Sequence, residues 1–209
     1  MTYWPFDGLR RGFYGAIVCD PPWAFRIWSG TDNTPHRTEV DHYATMSIDR
    51  ICELPVEWLT KPDCALFLWV VDSHLDKAFQ VGQAWGFEYK TRAFEWLKTG
   101  ANGDYPIGMG YWTRKQTESC LLFTRGKPAR LSKSVRQIIE APRREHSRKP
   151  DEQYERIEAL VAGPYCELFA KYQRDGWDGW GHEYTGEGRL AIAMRRAADA
   201  FTRNVEARS

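Results

Sequence analysis

Apolar runs alternate with segments of helical spacing along this chain of 209 residues. Six short runs rich in β-branched, aromatic and other apolar residues predict strands, because such residues suit a pleated and largely buried surface. The predicted strands run from Ile17 to Asp20, Ala65 to Val71, Tyr89 to Leu97, Cys120 to Thr124, Val135 to Ala141 and Cys166 to Lys171. The alternation predicts one α/β domain in which helices flank a mostly parallel sheet.

Capping and breaking residues predict where the helices begin and end. The predicted helices run from Ser47 to about Leu59, from Ser73 to about Trp85 and from Pro150 to about Ala162. Serine caps the start of the first two, glycine follows the second, and proline is favoured at the first position of the third. The domain is assigned to residues 1–185, and apolar residues at helical spacing in residues 186–209 predict a C-terminal helical extension.

Two long stretches have no predicted helix or strand. The first runs from Ala24 to His42, and the second, from Thr99 to Thr117, combines four glycines with Tyr105, Tyr111 and Trp112. Long loops in a compact domain are usually functional. The composition of the second stretch is typical of a loop that clamps an unstacked base.

Composition narrows the class of protein. Hydrophobic residues make up 43% of the chain and aromatic residues 14%, which supports a packed core. No apolar stretch approaches the roughly 20 residues that span a bilayer, and no signal-peptide pattern is present, so we expect a cytoplasmic protein. The five cysteines are scattered without a Cys-x-x-Cys pair, so they are interpreted as small buried apolar residues, and no metal site is predicted.

The small net charge conceals an uneven distribution. The chain carries +1 overall, but the segment from Arg125 to Lys149 holds nine basic and two acidic residues, so it carries +7 and the remainder −6. A concentrated basic segment is typical of a surface that binds phosphates, and Arg143 and Arg144 are the candidates for nucleic-acid contact. The alternative is a solvated loop whose charge serves only solubility.

The first predicted strand leads directly into Asp20, Pro21, Pro22 and Trp23. Both prolines lack an N–H, so carbonyls and the Asp20 carboxylate dominate the predicted polar atoms there. Acceptors beside a flat, exposed Trp23 ring suit a planar ligand that carries an exocyclic amine, such as a nucleobase. The alternative interpretation is a strand end with a Pro-Pro stop and a packed tryptophan.

Further motifs follow in a fixed order. Residues 147–151 read Ser-Arg-Lys-Pro-Asp, residues 167–171 read Glu-Leu-Phe-Ala-Lys, and residues 180–183 read Trp-Gly-His-Glu. His42 to Ser47 and Phe94 to Lys98 add smaller matches. Together with the tetrapeptide at Asp20, these motifs resemble the MT-A family of N6-adenine methyltransferases from about Tyr14 to Glu183. No Gly-x-Gly-x-x-Gly sequence occurs, which disfavours a dinucleotide oxidoreductase.

The resemblance implies a single Rossmann-like methyltransferase domain with the permuted β-class order of motifs. It implies an S-adenosylmethionine-dependent enzyme that methylates the exocyclic N6 amine of adenine in nucleic acid. The catalytic candidates are Asp20, Pro21, Pro22 and Trp23. The cofactor candidates are Cys19, Asp20, Lys149, Glu167, Phe169, Lys171, Gly181, His182 and Glu183, where His182 replaces the family's asparagine. Tyr43, Lys98, Arg143 and Arg144 are the candidates for substrate contact, although Tyr43 equally suits buried packing and Lys98 equally suits solvent.

Several functions stay open at the level of sequence. The short single-domain form resembles bacterial and phage enzymes, so we expect a DNA substrate, with RNA as the alternative. A cytosine N4-methyltransferase requires the same amine chemistry, but such enzymes more often carry Ser-Pro-Pro-Tyr. A non-catalytic binding subunit is a further alternative, which the intact tetrapeptide disfavours. The sequence does not distinguish a monomer from a homodimer.

Overall fold

A seven-stranded sheet forms the centre of the protein. The computed structural model describes residues 4–24, 45–100, 102–108, 110, 112–144, 148–181 and 184. The strands are β1 (Tyr14–Cys19), β2 (Thr60–Val70), β3 (Glu88–Thr99), β4 (Thr117–Arg125), β5 (Ile138–Pro142), β6 (Tyr165–Leu168) and β7 (Trp177–Trp180). Their order across the sheet is β5-β3-β4-β2-β1-β6-β7.

The sheet is mostly parallel, as the sequence predicts. Strand β1 pairs in parallel with β2 and β6, β6 with β7, and β3 with β5, whereas β4 runs antiparallel to β2 and β3. Six strands therefore end at one edge of the sheet, and β4 begins there. Ligands of open α/β sheets bind outside the carboxyl ends of the strands. A ligand-binding site is accordingly expected at this edge.

The helices are shorter than the sequence predicts. They are α1 (Ile48–Cys52), α2 (Leu75–Ala84) and α3 (Glu152–Leu160), with 3-10 turns at Val56–Leu59 and Asp72–His74. Ser47 caps α1 as predicted, because its side chain accepts the Arg50 N–H. The single helix predicted from Ser47 to Leu59 is wrong, since Pro55 lacks an N–H and separates α1 from the following 3-10 turn.

The second helix begins later than predicted but ends where glycine predicts. The turn at Asp72–His74 takes up Ser73, so α2 starts at Leu75 and Ser73 is not its cap. Gly86 follows the helix with φ of 78°, a conformation that costs glycine nothing and an L side chain about 1 kcal/mol or more.

The core occupies both faces of the sheet. Residues alternate between faces along a strand, so Ile17 and Cys19 of β1 join one buried cluster, with α1 and α2, whereas Ala16 and Val18 join the other, with α3. All six residues of β1 are buried. This explains why β1 is a continuous apolar run instead of an alternating one.

Buried cysteines contribute to this core. Cys19, Cys64, Cys120 and Cys166 are free thiols buried within strands, which confirms their interpretation as small apolar residues. Among the described residues, no helix combines the length and the apolar character that crossing a membrane requires.

Strand β7 is absent from the sequence prediction. It contains only four residues, Trp-Asp-Gly-Trp, and both Asp and Gly are depleted in strands. Gly179 is required by packing, because a Cβ at that position would lie 2.6 Å from the Tyr184 ring. Parallel pairing with β6 therefore makes this segment a strand despite its local preference.

Candidate functional site

Asp20 follows β1 at the edge where β1 and β6 end together. Cys19 pairs with Leu168 in the sheet, so Asp20 and Phe169 leave neighbouring strands side by side. The Asp20 side chain is 37% exposed, whereas Cys19 is 1% exposed and packs in the core. Burial raises the pKa of the Cys19 thiol. The cofactor contact predicted for Cys19 stays a prediction.

Two backbone hydrogen bonds fix the chain that follows Asp20. The Trp23 N–H donates to the Pro21 carbonyl at 2.8 Å, and the Met46 N–H donates to the Pro22 carbonyl at 2.9 Å. Pro22 suits the middle of this three-residue turn, because its ring holds φ at about −65°. Each carbonyl keeps a second lone pair. The predicted acceptors are thus already partly used within the turn.

The expectation of an exposed Trp23 ring is wrong. Trp23 is 4% exposed and belongs to the core cluster that contains Cys19. Its indole N–H donates to the Trp69 carbonyl at 3.1 Å, and its ring lies 5.9 Å from the His74 ring. A buried indole needs a partner for its N–H, and the end of β2 provides one. Trp23 supports the turn from beneath, as in the packed-tryptophan alternative.

Lys149 lies against Asp20. Its Nζ is 2.5 Å from Asp20 Oδ2 and 3.3 Å from Glu118 Oε2, and its side chain is 9% exposed. Burial alone would lower the pKa of Lys149, but the two carboxylates outweigh burial and raise it above the usual value. Burial raises the pKa of Asp20, and the Lys149 ammonium opposes that rise. Sequence reasoning named both residues, and the structure brings them into contact.

Glu118 is a site residue that the sequence analysis missed. It accepts from Lys98 Nζ at 2.5 Å as well as from Lys149, so one carboxylate joins two ammonium groups. Burial would raise the pKa of Glu118, but these lysines lower it to about 2. The available signal was a charged residue next to the apolar run of β4, which was predicted to begin only at Cys120.

Lys98 lies within the site through this contact. Its side chain is 19% exposed, and its Nζ is 4.9 Å from the centre of the Trp96 ring. Lys98 is therefore not a freely exposed lysine, and its contact with nucleic acid stays a prediction. The chain Asp20, Lys149, Glu118 and Lys98 alternates in charge and spans β1, the segment before α3, β4 and β3. We call these four residues the charge relay.

A cavity of about 360 Å³ opens beside Asp20. Its volume lies in the range of small-molecule sites, about 300–1,000 Å³. The residues that line it include carboxylates, cationic groups and aromatic rings, among them Asp20, Lys149, Tyr154, Glu167, Phe169 and Lys171. Predicted catalytic and cofactor residues therefore share one cavity.

Glu167 is a partly buried carboxylate that lines this cavity. It lies near the end of β6, and its Oε2 accepts a hydrogen bond from the Tyr154 hydroxyl at 3.0 Å. Burial raises the pKa of Glu167 to about 7. Burial also raises the pKa of Tyr154, which keeps the phenol protonated and able to donate. Tyr154 of α3 is a second residue that sequence reasoning missed, because helical spacing indicates only a core position.

The backbone bends sharply where β6 ends at the cavity. Phe169 has φ of 61°, which L residues other than Asn and Asp seldom adopt. The Ala170 N–H donates to the Trp180 carbonyl at 2.9 Å. A Cβ on Gly181 would lie 2.3 Å from the Ala170 carbonyl oxygen, so glycine is required for this approach. The bend directs the chain after β6 along the cavity, where Phe169 and Lys171 lie.

A second ionic cluster lies at the mouth of the cavity. Asp151, before α3, contacts Arg144, and it accepts from Arg148 at 3.2 Å and from Arg174 at 2.8 Å. Burial alone would raise the pKa of Asp151, but the guanidinium groups lower it. A nucleic-acid contact of Arg144 stays a prediction, and it requires exchange of this ion pair. Arg143 is exposed, and its N–H donates to the Thr99 carbonyl at 3.3 Å.

The basic segment is consequently not one uniform surface. Arg125 donates to the Glu57 carbonyl at 2.7 Å and to the Thr60 hydroxyl at 2.8 Å, where it joins β4 to the start of β2. Together with Lys149 in the charge relay, several of the nine basic side chains are engaged inside the protein. Nucleic-acid binding by the remaining exposed residues stays a prediction.

Several predicted residues lie outside the described part of the chain. These are Tyr43, His182 and Glu183, most of the stretch from Ala24 to His42, and the predicted extension 186–209. Within the described residues, no group of three or more His, Cys, Asp and Glu side chains is arranged to hold a metal ion.

The side chains that line the cavity fit S-adenosylmethionine. That molecule presents ribose hydroxyls, an amino-acid group and a positively charged sulfonium. Glu167 supplies an acceptor for hydroxyls, Phe169 supplies an apolar face, and Lys171 supplies a cation for a carboxylate. The residues present therefore match the chemistry of the methyl donor.

Comparison with known proteins identifies the family. The MT-A70 family model matches residues 14–183. A type II methyltransferase, M.MunI of Mycoplasma sp, is 33% identical over 194 residues, which cover 85% of this chain and 81% of the relative. An N(6)-adenosine-methyltransferase MT-A70-like protein of Arabidopsis thaliana is 29% identical, over 84% of this chain and 24% of the relative.

Human METTL3, an N(6)-adenosine-methyltransferase catalytic subunit, is 29% identical over 77% of this chain and 26% of its own length. The chain thus spans most of M.MunI but about a quarter of the adenosine methyltransferases. The family and the Rossmann-like fold expected from the motifs are confirmed. From its motifs, its sheet and a match across nearly the whole sequence, this chain belongs to the MT-A70 family of methyltransferases.

Proposed function

We propose that this chain transfers a methyl group from S-adenosylmethionine to the N6 amine of adenine, and that its substrate is DNA. The observation that carries the proposal is the contact between Asp20 and Lys149, 2.5 Å long, at a cavity that also contains Glu167. A hydrogen-bond acceptor for the adenine amine and a hydrogen-bond acceptor for S-adenosylmethionine thus face the same cavity. That juxtaposition is what methyl transfer between two bound molecules requires.

The amine is activated by position more than by a strong base. An exocyclic adenine amine is a weak nucleophile, because its lone pair is delocalised into the ring. The Asp20 carboxylate accepts one N–H of the amine and draws electron density back to the nitrogen. Lys149 holds this carboxylate in place and favours its charged form, and Glu118 in turn holds Lys149. The charge relay therefore fixes the acceptor before the substrate arrives.

The donor side of the cavity is organised by β6. When bound, S-adenosylmethionine supplies a methyl group activated by a sulfonium. Glu167 accepts from the ribose hydroxyls, and Tyr154 holds the Glu167 carboxylate in position. A hydrogen bond to a charged group contributes about 1.5–3 kcal/mol. Lys171 and the bend at Phe169 complete this side of the cavity.

DNA is favoured as the substrate by the extent of the match. The type II methyltransferase and this chain each cover more than four-fifths of the other, whereas the adenosine methyltransferases share only a segment. RNA adenine and cytosine N4 are the competing substrates, and a non-catalytic subunit is the competing role. We also propose a cytoplasmic location, on the composition of the sequence alone.

Replacing Asp20 tests the proposed function. The purified protein is incubated with labelled S-adenosylmethionine and either DNA or RNA, and the digested nucleosides are analysed by mass spectrometry. We expect N6-methyladenine in DNA, and a loss of about 100-fold or more in Asp20→Ala, the scale for removing one preorganised electrostatic contact. Asp76→Ala, an exposed site on α2 away from the cavity, is the matched control and stays at the wild-type rate.

Each alternative gives a different product. N4-methylcytosine would replace the adenine assignment, and methylation of RNA alone would replace DNA. No methylated nucleoside in either polymer, with intact donor binding, would indicate the non-catalytic subunit. Asp20→Ala activity within a few fold of wild type would remove Asp20 from the reaction.

A further inference from the structure

The loop between β3 and β4 presents a tryptophan side chain to solvent. Trp112 is 99% exposed, the highest value among the large apolar side chains of the described residues, and Ile107 of the same loop is 68% exposed. Large aromatic side chains normally bury most of their surface. Because tryptophan is enriched at interfaces, one that is exposed to this extent is a candidate contact for another molecule.

This loop is attached directly to the charge relay. Lys98, close to the end of β3, precedes the loop, and Glu118, close to the start of β4, follows it, so both ends of the loop lie at the sheet edge that holds Asp20. The loop that carries Trp112 therefore begins and ends on the side of the sheet where Asp20 lies.

Two contacts fix the part of the loop on either side of Trp112. Gly108 and Lys115 form an antiparallel bridge, with the Gly108 N–H donating to the Lys115 carbonyl at 2.8 Å. Lys115 Nζ also lies 3.5 Å from Asp72 Oδ2, after the end of β2. Trp112 lies between the two bridged positions. The bridge thus fixes the two ends of the turn that carries the exposed indole.

Two exposed arginines, one near the tip of the loop and one at its base, suit the phosphates of a nucleic-acid strand. Arg114 is exposed two residues from Trp112, and exposed Arg143 is joined by its N–H to Thr99 at the start of the loop. An adenine must leave its stack to reach Asp20, which uncovers the faces of the neighbouring bases. An exposed indole with an exposed arginine two residues along the chain suits an uncovered base and a phosphate of the same strand.

We propose that Trp112 stacks on a nucleic-acid base next to the adenine held at Asp20, while Arg114 contacts a phosphate of the same strand. The proposal rests on the proposed function for the identity of the ligand. Stacking on an aromatic side chain tolerates any base, because every base has a π-face. Trp112 accordingly adds affinity without reading sequence.

Salt dependence separates a stacking contact from a charge contact. We expect Trp112→Ala to weaken binding of a fluorescein-labelled, mixed-sequence single-stranded DNA by roughly 5- to 150-fold, the equivalent of about 1–3 kcal/mol per stacked base. The slope of log K against log salt should stay at the wild-type value, because it counts phosphate contacts. Arg114→Gln should instead lower the slope by roughly 0.7. Fluorescence anisotropy across a salt series measures both quantities.

Matched variants and an oligomer measurement complete the test. Trp112→Tyr should restore most of the affinity, and Ile107→Ala, an exposed apolar change in the same loop, should bind as wild type. Wild-type affinity in Trp112→Ala, or a reduced salt slope in that variant, would overturn the stacking contact. A smaller sedimentation coefficient for Trp112→Ala without DNA would show that Trp112 contacts a second copy of the chain, which also overturns it.

The proposed function can fail separately. Binding that depends on Trp112 without any N6-methyladenine in the same DNA would reject the methylation assignment and leave the stacking contact supported. Methylated DNA together with wild-type binding by Trp112→Ala would support the methylation assignment and reject the stacking contact.

Discussion

Two acidic residues on either side of Asp20 in the sheet experience opposite environments. Glu118 of β4 lies between Lys98 and Lys149, which lower its pKa to about 2 despite burial. Glu167 of β6 accepts from a neutral phenol, and burial raises its pKa to about 7. The difference follows from the partners, because both carboxylates are largely removed from water.

These environments suit different tasks. A carboxylate held between two ammonium groups stays charged throughout the neutral range, so Glu118 can fix Lys149 permanently. A carboxyl near its midpoint at neutral pH gains its charge readily when a donor of hydrogen bonds arrives. We therefore expect the relay side of the site to be preorganised and the side containing Glu167 to be completed by its ligand.

Replacing Lys149 is expected to have the largest effect on the Glu118 side of the site. We expect Lys149→Met to reduce methyl transfer by about 100-fold or more, because Asp20 loses the cation that holds it. Removing one partner of a buried ion pair also costs about 3–5 kcal/mol of stability. Initial rates and urea unfolding measure the two effects, and Lys77→Met on α2, where the lysine pairs at the surface with Asp76, is the control.

A lysine that only supports the fold gives a different pattern. In that case the double variant Lys149→Met, Glu118→Gln would recover activity together with stability. We expect stability to recover in part, because the neutral side chain at position 118 no longer needs a cationic partner. Activity should stay low. Recovery of both would place Lys149 outside the reaction.

Replacing Glu118 alone tests whether its charge affects methyl transfer without affecting S-adenosylmethionine binding. Glu118→Gln keeps the shape of the side chain and removes its charge, so we expect kcat to fall about ten- to a hundredfold, since a hydrogen bond to a charged group contributes about 1.5–3 kcal/mol. The affinity for S-adenosylmethionine should stay at the wild-type value. Glu95→Gln is closely matched, because Glu95 is 18% exposed against 16% for Glu118 and pairs with Arg92 and Ser119 instead of Lys149. An equal loss in both variants would indicate a general effect on the sheet.

The sequence predicted the parts of the site that are encoded locally. Asp20 and Glu167 each end or lie near the end of an apolar run, and parallel strands bring such positions to one edge. The family motifs added Lys149 and Gly181, which the structure places against Asp20 and against the Ala170 carbonyl. The mostly parallel sheet followed from the alternation of elements, whereas the order of the strands did not.

The residues that were missed depend on contacts between distant parts of the chain. Glu118 reaches Lys149 because β4 runs antiparallel beside β2, with Ser119 paired to Val70, and no local pattern specifies that register. Trp23 is buried because a carbonyl 46 residues later accepts its indole N–H. Local composition predicts which residues can carry out chemistry, whereas pairing between strands decides which of them meet.

The pH dependence of donor binding tests the Glu167 side with the smallest expected effect. With a pKa of about 7, Glu167 is roughly one-tenth ionised at pH 6 and nine-tenths at pH 8, so affinity for S-adenosylmethionine should rise by up to about tenfold over that interval. Glu167→Gln should bind weakly with a flat profile between these values. Isothermal titration calorimetry gives both profiles, and a flat wild-type profile would contradict the role of the carboxylate.

Stability provides an independent check with a definite sign. Because burial raises the folded pKa to about 7 from an ordinary 4.5, the folded state binds this proton more tightly than the unfolded state. Glu167 therefore reduces stability progressively as pH rises from about 4.5 to 7, by up to about 3 kcal/mol, and its effect is constant above that range. In urea unfolding without S-adenosylmethionine, the gain in stability of Glu167→Gln over wild type should be larger at pH 8 than at pH 5. Glu118, whose folded pKa is lowered, adds stability that is lost only as pH falls from its ordinary pKa towards about 2, so Glu118→Gln should show no such gain at pH 8.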